Sequence, residues 1–225
     1  VGKTTTAVNL SAALADRGQT VWLMDLDPQA HASLHLGVSL NEDDASLYDV
    51  LVDDLPLMSV LRPVRERLSL IPSHVNLAAA EIELVSRPGR EHILNKQIRG
   101  LETPPEFLII DCPPSLGLLT INALTSVEDI ILPMQPHYLS LHGLSKILQS
   151  IEHQQALLNR MSDDDRCAIH CNVDRTGVSK TNIRRPLTRW IVILLQLAVR
   201  KQVVTSRAAC GDPAAFGDVH TDTML

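Results

Sequence analysis

Two short apolar runs that each stop at an aspartate constrain this chain more than any other feature. The first, Thr20-Val21-Trp22-Leu23-Met24-Asp25-Leu26-Asp27-Pro28-Gln29, ends in two carboxylates, and the second, Phe107-Leu108-Ile109-Ile110-Asp111, ends in one. Four or five apolar residues without polar alternation suit a strand buried on both faces, and such strands belong to parallel sheets covered by helices. In those sheets the polar groups that meet ligands collect beyond the carboxyl ends of the strands. The two runs therefore predict an α/β protein built on a doubly wound, mostly parallel sheet. Periodicity places strands at 20–25, 68–71, 107–111 and 130–134, and helices at 4–16, 46–53, 75–85, 89–99, 116–125 and 140–160. His31 to Asp44 reads as a loop, and Thr103-Pro104-Pro105-Glu106 as a stiff connector into the second run. No internal repeat or low-complexity segment divides the first 160 residues.

The chain opens on Val1-Gly2-Lys3-Thr4-Thr5-Thr6, the closing part of a phosphate-binding loop of the form G-x-x-x-x-G-K-[ST]. Gly2 leaves room for a phosphate, Lys3 reaches the β- and γ-phosphates, and the Thr4 hydroxyl suits Mg²⁺. Ala7, Leu10, Ala13 and Leu14 follow at helical spacing, with Gly18 where a C-terminal cap glycine belongs. A helix starting here offers free N–H groups and a positive dipole end to an anion. Phe107 to Asp111 has the Walker B pattern, whose aspartate binds Mg²⁺, often through a water.

Taken in order, the G-K-T-T-T helix, the D-L-D-P-Q strand end and the I-I-D-C-P-P-S strand end resemble the ParA/Soj group of deviant-Walker-A ATPases, which segregate chromosomes and plasmids. The likeness continues through Ser46–Leu51, Leu70–Ser73, Leu77–Leu84, Ile130–Gln135 and Leu141–Leu144, roughly the first seven-tenths of the chain. The resemblance implies a P-loop ATPase with ATP and Mg²⁺ as cofactors. It makes Lys3 the Walker A lysine, with Gly2 and Thr5 as further phosphate contacts. Thr4, Asp25 and Asp111 would lie on the Mg²⁺ side, and Asp27 would position the attacking water. Pro113, Pro114 and Ser115 would form a segment that senses the γ-phosphate. The implied partners are a second copy in an ATP-bound homodimer, non-specific DNA and a ParB-like centromere-binding protein. The implied location is cytoplasmic and nucleoid-associated, with no membrane partner.

The chain departs from the family pattern in two places. The family signature is Lys-Gly-Gly-Val-Gly-Lys-Thr, and this sequence begins at the Val. As a whole polypeptide it is expected to bind ATP very weakly and hydrolyse almost none; as a piece of a longer product, the rest of the loop and its strand lie upstream. From about Arg166 the composition changes: no Glu follows Glu152, and three cysteines lie at Cys167, Cys171 and Cys210. The expectation is a partial ATPase domain over 1–165 and an unmatched tail over 166–225, read as a frame shift, with a divergent C-terminal region as the other explanation.

At 225 residues and 45% hydrophobic, the chain is long enough for one domain with a core. Aromatic residues make up only 3%, so that core is aliphatic. A net charge of -6 argues against a surface coated in positive charge for nucleic acid, though a local basic patch remains open. The longest apolar run, Trp190 to Val199, is about half of what a bilayer crossing needs.

Other groups have plainer readings. Asp25 and Asp27 face opposite ways on an ideal strand, so they make no acid–base pair unless the strand stops at Asp25 and frees Asp27 to turn. Cys112 suits a small buried thiol. Cys167, His170 and Cys171 mimic metal-ligand spacing without a second ligand pair. His31, His35, His137 and His142 are scattered, with His31 near D-P-Q. The 136–144 stretch is read equally as a dimer face or as ordinary packing. Two further functions stay open: a MinD-like cell-division ATPase, disfavoured by Asp27-Pro28-Gln29, and a non-catalytic remnant of a ParA gene.

Overall fold

The computed structural model describes residues 2–127, 129–134, 168–173 and 189–193. Its element order is α1 (Lys3–Asp16), β1 (Val21–Asp25), α2 (His31–His35), α3 (Leu47–Val52), α4 (Leu57–Val60), β2 (Arg62–Arg65), β3 (Leu68–Ile71), α5 (Leu77–Glu83), α6 (Ile93–Arg99), β4 (Phe107–Asp111), α7 (Leu118–Leu124), β5 (Asp129–Met134), β6 (Ala168–Val173) and β7 (Arg189–Ile193). Short 3-10 turns at Leu84–Ser86 and Arg90–His92 extend α5 and lead into α6.

Among the described residues the sheet has seven strands in the order β2-β3-β1-β4-β7-β5-β6. Only the β2–β3 pair is antiparallel; the other pairs are parallel. Alternation along each strand sends side chains to two separate cores. Trp22 and Met24 of β1 join Leu108 and Ile110 of β4 beneath α3, α5, α6 and α7. Val21 and Leu23, with Ile109, pack instead against Ala7 and Ala15 of α1 and Ala32 of α2. Both faces are thus covered, as apolar runs without alternation require.

The register of β1 and β4 matters for the site. Val21 pairs with Phe107 and the pairing runs to Asp25 opposite Asp111. A carboxylate clips the start of this pair: Glu106 Oε2 accepts from the Thr20 amide at 2.6 Å and from its hydroxyl at 2.8 Å. At the far end the Leu26 amide donates to the Asp111 carbonyl at 2.8 Å.

Three features differ from the sequence expectation. The stretch read as a loop from His31 contains α2, a single helical turn that buries Ala32 and Ser33. Its N-cap is Ala30, whose φ of 52 is left-handed. A second addition is the pair α4 and β2, where β2 lies on the sheet edge and so tolerates Pro63. Third, β6 and β7 come from beyond Arg166 and lie parallel within the same sheet. The apolar segment Trp190–Ile193 suits the interior slot between β4 and β5. The helix expected at 140–160, the 136–144 stretch, His137, His142 and Cys167 lie outside the described residues.

Candidate nucleotide site

The expected site residues converge at the carboxyl ends of β1 and β4 and the N-terminus of α1. Gly2 caps the 14-residue α1 with φ 91, and its carbonyl accepts from the Thr6 amide at 2.8 Å. A Cβ at Gly2 would meet no protein atom within 4 Å, so the positive φ is what calls for glycine. Lys3 and Thr4 occupy the first turn, which carries no acidic residue and no side-chain cap. The first amides of α1 are therefore available to an anion.

Asp111 is the most exceptional group there. It is 1% exposed, and neither carboxylate oxygen has a hydrogen-bond partner that satisfies both distance and angle. Burial lifts it to about 7, against a smaller pull from the Thr4 hydroxyl and the Lys3 ammonium. The neighbouring charge of Asp25 adds to the rise. A buried carboxylate left bare beside a Lys and a Thr is expensive on its own, and a cation relieves it. Mg²⁺ commonly binds through one or two carboxylates together with phosphate oxygens. Among the described residues no three His, Cys, Asp or Glu side chains form a metal cage by themselves.

Asp25 is fully buried but bonded on both oxygens. Oδ2 accepts from the Ser33 amide and the Ser33 hydroxyl, each at 2.8 Å, and Oδ1 accepts from the Asp27 amide at 3.3 Å. Burial still lifts it to about 6, with the Ser33 bonds pulling the other way. As β1 stops at Asp25, Asp27 turns free of the strand. Its Oδ1 accepts from the Gln29 amide at 3.0 Å, and its carbonyl accepts from the Ala30 amide at 2.9 Å. The turn leaves Asp27 partly exposed at the same edge.

Cys112 is fully buried, and burial pushes its thiol well above the usual range, so it packs rather than reacts. Pro113 is buried while Pro114 and Ser115 are exposed. The Ser115 carbonyl accepts from the Thr120 hydroxyl at 2.6 Å, and Glu81 Oε1 accepts from the Leu119 amide at 3.4 Å. The first contact fastens the segment after Asp111 to α7, and the second joins α7 to α5. Thr5 is exposed on the first turn of α1, and His31 is exposed with its ring assigned no part. Sequence reasoning missed Ser33 and Ser73: the Ser73 amide donates to Ser33 Oγ at 3.2 Å, a contact between residues 40 apart. The family likeness ran through Pro72-Ser73 but attached no role to it.

The family described as an AAA domain matches residues 1–162. The sporulation initiation inhibitor protein Soj of Bacillus subtilis is 44% identical over 160 residues, covering 71% of this chain and 63% of Soj. The chromosome partitioning protein ParA of Myxococcus xanthus is 41% identical over 160 residues, covering 71% of this chain and 56% of ParA. The chain thus spans less than two-thirds of either relative's length. A Mycobacterium tuberculosis protein named Rv1708 is 34% identical over 216 residues, covering 95% of this chain and 68% of its own. That likeness runs past Arg166, into residues whose text was expected to match nothing. Among solved structures, a Mycobacterium smegmatis cobyrinic acid a,c-diamide synthase with bound ATP analogue and magnesium superimposes with a TM-score of 0.69 at 34% identity. It covers 78% of this chain and 72% of that one. The AAA-domain match over residues 1–162 and the Soj and ParA likenesses place the chain in the ParA/Soj family of AAA-domain proteins.

Proposed function

We propose that this chain is the nucleotide core of a ParA-like partition ATPase. The observation that carries the reading is Asp111, buried beside the Lys3-Thr4 turn of α1 with no well-formed hydrogen bond on either oxygen and only a pull from the Thr4 hydroxyl and the Lys3 ammonium. Lys3, with Gly2 and Thr5 and the open amides of α1, holds the phosphates. Thr4 and Asp111 hold Mg²⁺, and Asp25 stands on the same side as a carboxylate already oriented by Ser33. Bound Mg²⁺ supplies charge neutralisation on the phosphate oxygens. Asp27, turned out past the strand end, orients a water for in-line attack. Pro113 begins the segment that follows the state of the γ-phosphate, since it is joined directly to Asp111 through Cys112.

The family then supplies the wider cycle: an ATP-bound dimer of two copies, non-specific DNA binding, and hydrolysis stimulated by a ParB-like partner. The name of the ParA relative supports a role in chromosome partitioning. The cytosol and nucleoid are the matching location. Among the described residues no helix is long and apolar enough to cross a membrane.

Binding of a fluorescent ATP analogue with Mg²⁺, in the chain and in Lys3→Ala, tests the core of the proposal. Loss of the lysine should weaken binding at least about tenfold, the scale of one charge-assisted phosphate contact. Equal affinity in the two proteins would refute the assignment.

A further inference from the structure

Asp25 and Asp111 sit at paired register positions, yet only Asp25 is held by hydrogen bonds on both oxygens. Its partners form a continuous line. The Ser73 amide, just past β3, donates to Ser33 Oγ at 3.2 Å; the Ser33 hydroxyl donates to Asp25 Oδ2 at 2.8 Å. Asp25 Oδ1 then accepts from the Asp27 amide at 3.3 Å. Ser73, Ser33 and Asp25 are 2%, 2% and 0% exposed, so water does not compete for these bonds.

We infer that Ser33 is a positioning residue, which acts through Asp25 to fix the backbone of Asp27. The inference rests on the reading of Asp27 as the group that orients the attacking water. Ser33 itself touches no substrate. Its hydroxyl is suited to the junction because a hydroxyl accepts and donates at once. Its amide makes a second bond to the same Asp25 oxygen at 2.8 Å, and this bond anchors the single turn of α2 against β1. The arrangement explains why a five-residue helix exists at this place: it delivers one serine to one carboxylate. It also divides labour between the two buried aspartates. The carboxylate of Asp25 is committed to shaping the D-L-D segment, and that of Asp111 is held by no comparable set of bonds.

A packing role for Ser33 would need only its volume, so the test separates hydrogen bonding from volume. Amide hydrogen exchange is measured on the full chain without nucleotide, for wild type, Ser33→Ala, Ser33→Cys and Ser33→Thr. Breaking a buried bond to a charged group should speed exchange at the Asp27 and Ser73 amides about tenfold or more. Alanine and cysteine should show this loss and threonine should not, while the amides of β4 stay at wild-type protection. Should the alanine variant fail to fold, the cysteine–threonine contrast decides alone. Unchanged protection at Asp27 in the cysteine variant overturns the inference.

The kinetic arm then reads Asp27 directly. Ser33→Ala should lower kcat for ATP about tenfold with KM within about twofold, and Ser33→Thr should restore it. A rise in KM with unchanged kcat overturns the positioning role. If wild type and Lys3→Ala prove equally inert toward ATP, the exchange data alone decide the Ser73–Ser33–Asp25–Asp27 line, and the nucleotide-binding comparison of the two proteins decides the ATPase reading.

Discussion

Replacing Asp111 by Asn should flatten the dependence of stability on pH in the nucleotide-free protein. In the folded chain burial holds this carboxyl at about 7, against an ordinary value of 3.8. Between those values the folded state keeps a proton that the unfolded chain has released. Stability therefore falls as pH rises through this window, and the loss is complete above the folded value. A shift of about three units at ~1.4 kcal/mol each makes the full penalty about 4 kcal/mol. Between pH 5 and pH 8.5 only the upper two units are crossed, so wild type should lose about 3 kcal/mol relative to Asp111→Asn. Asp25 titrates in both proteins, so its contribution largely cancels. Urea unfolding of both proteins at the two pH values, without Mg²⁺ or nucleotide, measures the difference. If the two proteins change in parallel, Asp111 is not a buried, bare carboxylate, and the carrying observation of the proposed site is lost.

Two stability predictions follow from local geometry. Ser46 caps α3 by accepting from the Tyr48 amide at 3.2 Å while its own amide donates to Asp49 Oδ2 at 2.7 Å. Ser46→Ala should cost about 1 kcal/mol in a thermal or urea melt, and no measurable change would show that the cap is idle. Ala30 holds a left-handed φ of 52, so Ala30→Gly should stabilise by up to about 1 kcal/mol, the αL penalty less the added chain entropy of glycine. A destabilised glycine variant would mean that the turn after Asp27 gains more from a stiff residue than it loses in strain.

The strands that carry the site were legible because burial on both faces leaves an unbroken apolar text. β1 and β4 end at Asp25 and Asp111 as that text implies, and β3 and β5 fall within a residue of expectation. Helix α1 was legible from its spacing and from Gly18, whose φ of 86 closes the helix. Elements too short to show a period were not. α2 spans five residues, and its reason for existing is a bond from Ser33 to a carboxylate eight residues earlier. β2 contains a proline and alternates between partly buried and exposed residues, which reads as loop until its place on the edge is known. Likewise the apolar text of Trp190–Ile193 was visible, but its slot between β4 and β5 depends on contacts far away in sequence. Lys3, Thr4, Asp25, Asp27 and Asp111 were named as candidates from motifs. The difference in bonding between Asp25 and Asp111 could not be, because both stand at the end of equivalent strands.

The Glu106 clip on Thr20 works as the zero mark of a ruler. Five residues of strand, at ~3.3 Å each, separate the clip from the paired aspartates. Counted from that mark, β1 and β4 reach Asp25 and Asp111 together. A strand that slips by one residue turns every side chain to the opposite face. The connector before Glu106 is therefore free to lengthen or shorten over evolutionary time, since the count restarts at the carboxylate. The five residues after it have no such freedom. One inserted there would carry Asp111 into the wrong core, and would leave Asp25 opposite an isoleucine.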